Sequence, residues 1–101
     1  MNGEALPLLV FFSSKKSGPA RRMESSLAHI ARKERTRLRV TIVDVEAQPQ
    51  LAEKFSITDV PTLVLVKGKR VVARLEGRSS APRIEGMVAS HLPTAAEALA
   101  S

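Results

Sequence analysis

The residues whose types could carry chemistry gather in one stretch, Lys15-Lys16-Ser17-Gly18-Pro19-Ala20-Arg21-Arg22, between an apolar run and a helical pattern. Ser17 holds its only hydroxyl. A serine becomes a nucleophile when an adjacent base takes its proton and a third group orients that base. The nearest histidine, His29, follows three helical turns later, about 18 Å along the axis, so it cannot serve as the base. Ser17 is therefore expected to cap the helix, its oxygen accepting hydrogen bonds from N–H groups at the helix start.

The four bases flanking that turn suggest a second kind of chemistry. A helix start attracts anions through its unpaired N–H groups and its dipole. Lys15, Lys16, Arg21 and Arg22 would add four positive charges there. Either they gather an anion (an acidic peptide, a phosphate or a nucleic-acid backbone) or they are solvated bases that keep the loop soluble. The series Arg32, Lys33, Arg35, Arg37 and Arg39 reads as a solvated helix end. Asp44, Glu46 and Asp59 lack a metal-binding spacing, and His29 and His91 are isolated, so neither a metal nor another cofactor is expected.

Composition narrows the classes further. The chain has 101 residues, 44% hydrophobic and 26% charged, which are globular values sufficient for one core. A single domain over residues 1–93 with a flexible tail at 94–101 is expected. The absence of cysteine removes disulfides, thiolate nucleophiles and cysteine-based metal sites. A net charge of +6 favours anionic partners, yet three Phe with no Tyr or Trp leave little surface for stacking nucleic-acid bases. The start MNGEALPLLVFF has no basic region and too short an apolar run for a leader or a span, which points to a cytoplasmic protein without membrane attachment.

The elements that position the turn follow from periodicity. Leu6 to Phe12 is continuously apolar, as expected of a central strand buried on both faces. Met23, Leu27, Ile30 and Ala31 mark one face of a helix with Pro19 in its first turn. Leu38 to Val45 reads as a strand reached by a right-handed crossover, hence parallel to the first. A short helix over Pro49 to Phe55 follows. Thr62 to Val66 and Val71 to Glu76 form a hairpin through Lys67-Gly68-Lys69-Arg70. Ser79 or Ser80 caps a last helix with Ile84, Met87, Val88 and Leu92 on its apolar face, stopped by Pro93.

This order, with its motifs, resembles the thioredoxin family from about Leu6 to Leu92. Ser17-Gly18-Pro19-Ala20 stands at the family's Cys-Gly-Pro-Cys, and Asp59-Val60-Pro61-Thr62 at its cis-proline loop. Asp44-Val45-Glu46 followed by Pro49, and Gly77 after the last strand, agree with it. The resemblance implies an α/β thioredoxin-like fold: a four-stranded mixed sheet in the order second, first, third, fourth strand, flanked by helices and lacking the family's first strand and helix. Dithiol exchange requires a low-pKa thiolate and a resolving thiol. Ser17 and Ala20 supply neither. The redox surroundings have also changed: Lys16 replaces the tryptophan before the motif, Phe11 the buried acid, and Ile42 a lysine near it.

The expectation is thus a redox-inactive, non-catalytic binding or adaptor module. The resemblance implies that Lys16, Ser17, Gly18, Val60 and Pro61 form its peptide-binding surface, with Val60 offering backbone groups to an extended polypeptide, an acidic one being favoured. Pro61 could alternatively serve only to shape its loop. Two other readings stand beside this one: an anion or nucleic-acid binder using the basic surface, and a cysteine-free engineered variant of a thioredoxin.

Overall fold

A computed structural model describes residues 6–93; the tail assigned to 94–101 lies outside them. The elements in chain order are β1 (Leu8–Ser13), α1 (Gly18–Lys33), β2 (Arg39–Asp44), α2 (Pro49–Lys54), β3 (Thr62–Lys67), β4 (Arg70–Glu76) and α3 (Ala81–Ala89). They build one four-stranded sheet in the order β2-β1-β3-β4, as the resemblance implied. β1 runs parallel to β2, with Phe11 beside Ile42, and antiparallel to β3, with Phe11 beside Leu63.

β1 is central because its side chains are apolar on both faces. Leu9 and Phe11 point to one face and join Ala20, Met23, Leu27 and Ile30 of α1 and Ile84 and Val88 of α3. Val10 and Phe12 point to the other and meet Leu51 and Phe55 from α2 and its end. Strand alternation turns one apolar run into two cores, and each needs a helical cover. The Phe12 and Phe55 rings lie 5.6 Å apart at 52°, a tilted aromatic pair. No helix among the described residues is long and apolar enough to cross a membrane.

Several boundaries moved. β1 starts at Leu8 rather than Leu6, since Pro7 has no N–H to donate and only its carbonyl bonds, to the Arg39 N–H at 2.9 Å. α3 stops at Ala89, four residues before Pro93, because Pro93 has no N–H for the Ala89 carbonyl and the chain closes instead with tighter bonds from the His91 N–H to the Val88 carbonyl and the Leu92 N–H to that of Ala89. α2 ends one residue early, where Ser56 takes a positive φ of 55°. Arg74 of β4 braces this corner, donating to the carbonyls of Phe55 at 2.6 Å and Ser56 at 2.7 Å. Gly68, at φ 66°, makes the tight turn between β3 and β4.

α1 and α3 are also joined at the surface by Lys33 and Glu85, 2.9 Å apart. Their hydrogen bond and mutual attraction hold the Glu85 carboxyl below its usual range and the Lys33 ammonium above its own. Both groups are solvated, so the pair orients the helices more than it stabilises them. Stability rests on the cores and caps. Leu27→Ala, which removes a fully buried side chain, is expected to cost about 3 kcal/mol, read as a lower urea midpoint at unchanged m-value. Ser17→Ala should cost about 1 kcal/mol through loss of the α1 cap. Ser17→Asp should match or exceed the wild type, because α1 has no acid in its first turn to complement the helix dipole.

Candidate functional site

The turn after β1 is held by a buried hydroxyl. Ser14, 4% exposed, donates to the Glu46 carboxylate, whose two oxygens lie 2.9 and 2.8 Å away. Its oxygen accepts the Lys16 N–H at 3.1 Å, and its carbonyl accepts the Ser17 N–H at 3.0 Å. Glu46 is positioned in turn by Asp44, whose Oδ1 accepts the Glu46 N–H at 2.9 Å. A hydroxyl bonded to a carboxylate is stronger than a neutral pair, which suits an anchor between two loops distant in sequence.

From that anchor the chain enters α1. Ser17 is the N-cap, with its Oγ accepting the Ala20 N–H at 3.1 Å. Its lone pairs serve the helix, as its position in the sequence implied. Pro19 follows in the first turn. Ala20 is fully buried in the same core as Phe11. The two positions that would hold sulfur therefore present a bonded hydroxyl and a packed methyl group.

The Asp59-Thr62 loop lies opposite. The Val60–Pro61 bond is cis. The Pro61 carbonyl accepts the Gly77 N–H at 2.8 Å, and the Thr62 hydroxyl donates to the Asp59 carbonyl at 2.7 Å. Between loop and helix runs a cleft of about 600 Å3 lined by Pro19, Asp59, Val60, Pro61, Glu76, Gly77 and Arg78. A second recess of about 390 Å3 shares Pro19 and Arg78 and continues past Arg22 and Met23 to Ser79 and Ser80. Among the described residues, neither the N–H nor the C=O of Val60 enters a backbone hydrogen bond. A half-buried residue with both groups uncommitted at the side of a groove can pair with an extended chain.

The structure thus brings Val60 and Pro61 together with the Ser17–Ala20 motif, but the motif's lining residue is Pro19. Ser17 is committed to its cap, Lys16 is exposed, and Gly18 borders a shallow recess of about 380 Å3 with Arg21, Arg22 and Glu24. The four bases do not share one pocket. Lys15 and Arg21 line a cleft of about 480 Å3 together with Ser13, Ser14, Glu24, Ile42 and Asp44, so that cleft holds two bases and two carboxylates. Arg22 instead folds over Gly18, a guanidinium nitrogen 3.2 Å from where a Cβ there would stand, and joins Arg78 along the continuing groove.

Sequence reasoning missed Glu76 and Arg78 as groove residues, and the Ser14–Glu46 anchor. Gly77 after the last strand was the available signal for the first two. The anchor joins residues 32 apart, and no local pattern announces it. Among the described residues no group of three His, Asp or Glu is placed to hold a metal.

Comparison with known proteins agrees with this geometry. The family model for thioredoxin matches residues 1–90. The thioredoxin of Alicyclobacillus acidocaldarius is 33% identical over 86 residues, covering 85% of this chain and 82% of that protein. The bifunctional thioredoxin reductase/thioredoxin of Mycobacterium leprae is 34% identical over 71 residues, 70% of this chain but only 16% of that longer protein. Among solved structures, the germline-specific thioredoxin Deadhead of Drosophila superimposes with a TM-score of 0.79 at 26% identity, covering 84% of this chain and 80% of its own. With the family model matching residues 1–90 and a relative 33% identical over most of both chains, the chain belongs to the thioredoxin family.

Proposed function

We propose that this chain is a non-catalytic thioredoxin-like module that binds an extended polypeptide segment in the groove between Pro19 and the Val60–Pro61 loop. The observation that carries the reading is Val60, whose backbone donor and acceptor stand uncommitted beside a cleft of about 600 Å3. Main-chain pairing with Val60 would supply affinity, and the recess past Arg22, Arg78 and Ser79 would select side chains. Asp59 and Glu76 balance Arg78 in the cleft itself, whereas the continuing recess holds Arg22 and Arg78 with no carboxylate, so an acidic side chain is favoured there. With no cysteine in the chain, cysteine-based electron transfer to a disulfide has no starting atom.

The test begins with panning a library of ten-residue peptides on the full chain and titrating enriched peptides into 15N-labelled protein. The amides of Val60, Gly77 and Arg78 should shift most, and enriched peptides should carry Asp or Glu. Shifts confined to α1 and the basic residues after it would overturn the reading. So would tighter binding of duplex DNA, with a log–log salt slope of about 0.9 per phosphate contacted.

Restoring sulfur should not restore a reductase. In Ser17→Cys/Ala20→Cys the first thiol, at a helix start among bases, is expected to ionise readily. The second would lie in the apolar core beside Phe11, where burial raises its pKa and slows resolution. Mixed disulfides with insulin should accumulate in mass spectra, with little catalytic turbidity. Rapid turnover would contradict this account of the core.

A further inference from the structure

β2 forms one edge of the sheet, and among the described residues no strand pairs with its outer side. The Arg39 N–H bonds to the Pro7 carbonyl and the Val45 N–H to the Ser13 carbonyl, both towards β1. Strand alternation then directs the backbone groups of 39, 41, 43 and 45 inward and those of Val40, Ile42 and Asp44 outward. The Asp44 carbonyl already accepts the N–H groups of Ala47 and Gln48. Among the described residues, Val40 and Ile42 are left presenting a donor and an acceptor each, and Asp44 its donor.

The edge is weakly defended. Ile42 is 49% exposed, and β2 meets β1 without any register shift that would twist the edge away. At the opposite edge, β4 also exposes an apolar residue, Val71, but β3 and β4 pair through a bulge at Leu65/Val66. Bulges and charges are the usual guards of a sheet edge. On β2 itself the guarding base is Arg39.

We infer that a second copy of this chain pairs antiparallel along β2, centred on Thr41, to form a continuous eight-stranded sheet. Two copies related by a twofold axis perpendicular to the sheet keep their faces matched, so a residue must lie at the centre of the pairing. Centring on Thr41 sets Val40 of each copy against Ile42 of the other, and these bonded pairs use both backbone groups of Val40 and of Ile42 in each copy. Centring on Ile42 would demand the spent Asp44 carbonyl and set a carboxylate against Val40. In the Thr41 register the cross-strand side-chain pairs are Val–Ile twice and Thr–Thr once, all favourable in sheets. The opposing valine would also cover Ile42, part of the lining of the cleft holding Lys15 and Arg21.

Charge selects the same direction. Arg35, Arg37 and Arg39 precede or begin the strand, whereas Asp44 and Glu46 end or follow it. Antiparallel pairing lays the basic end of one copy beside the acidic end of the other. Parallel pairing would oppose like charges. Since only one short strand from each copy meets, the dimer belongs to the small, transient class of interfaces.

The absence of cysteine makes the register directly testable. Facing residues in a non-bonded antiparallel pair have Cα atoms about 4.5 Å apart, within the range that a disulfide spans. Thr41→Cys should therefore form a disulfide dimer in oxidised glutathione at least about tenfold faster than Ser25→Cys on the exposed side of α1, or than Ile42→Cys, whose counterpart is offset. Adding Ile42→Lys to Thr41→Cys should remove the advantage, and in the cysteine-free chain should abolish concentration-dependent sedimentation. Coupling of Thr41→Cys no faster than Ser25→Cys would overturn the inference, as would a wild type that sediments as a monomer at about 1 mM.

Discussion

Everything in this fold is arranged around a strand that water does not reach from either side. Leu9, Val10, Phe11 and Phe12 are each at most 4% exposed. An alternating strand in that condition needs an apolar cover above and below, so helices must pack on both faces and the chain must cross over the sheet. The crossovers return the chain to the sheet end where β1 stops, placing the Ser17 turn there beside the start of β3. The site is therefore a by-product of burying β1. Its location follows from packing whether or not any chemistry remains in it.

Where the family resemblance places a buried acid and the second thiol, this chain carries packing side chains. Phe11 and Ala20 sit in one cluster with Met23, Leu27 and Ile30, and neither carries a group that needs a proton or a partner. Burying an acid at such a depth would cost several kcal/mol unless it were paired or neutralised. With that demand gone, the interior beneath the turn is uniformly apolar. The polar work is displaced to the rim, where Ser14 and Glu46 join two loops and Ser17 closes the helix. What the rim retains is backbone: among the described residues, no backbone hydrogen bond engages either group of Val60 at the side of the groove.

The order and pairing of the strands were legible because the relevant signals are periodic. A continuous apolar run marks a central strand, and Met23, Leu27 and Ile30 repeat with a helix's period. The cap at Ser17 was legible because it is local. The groove was legible only in outline: Val60 and Pro61 lie in it, yet Pro19 replaces Lys16, Ser17 and Gly18 as the lining from the motif. Side-chain direction decides that, and direction at a helix start is not encoded in spacing. Likewise the bases at 15, 16, 21 and 22 look like one cluster in a string of letters. On the helix, Arg21 lines the cleft with Lys15, Glu24 and Asp44 and Arg22 the groove with Arg78; the two arginines share only the shallow recess beside Gly18.

The brace at Arg74 has a consequence for how the groove responds to a ligand. One guanidinium in β4 holds the two carbonyls that finish α2, and the N–H of Gly77, just beyond the same strand, holds the Pro61 carbonyl. Both approaches to Val60 are thus tethered to a rigid sheet rather than left to sample positions of their own. An incoming chain would meet a mould instead of a hinge, losing its own freedom but little of the protein's. Recognition here would discriminate by fit, and a segment of the wrong shape would gain little from waiting for the site to adjust.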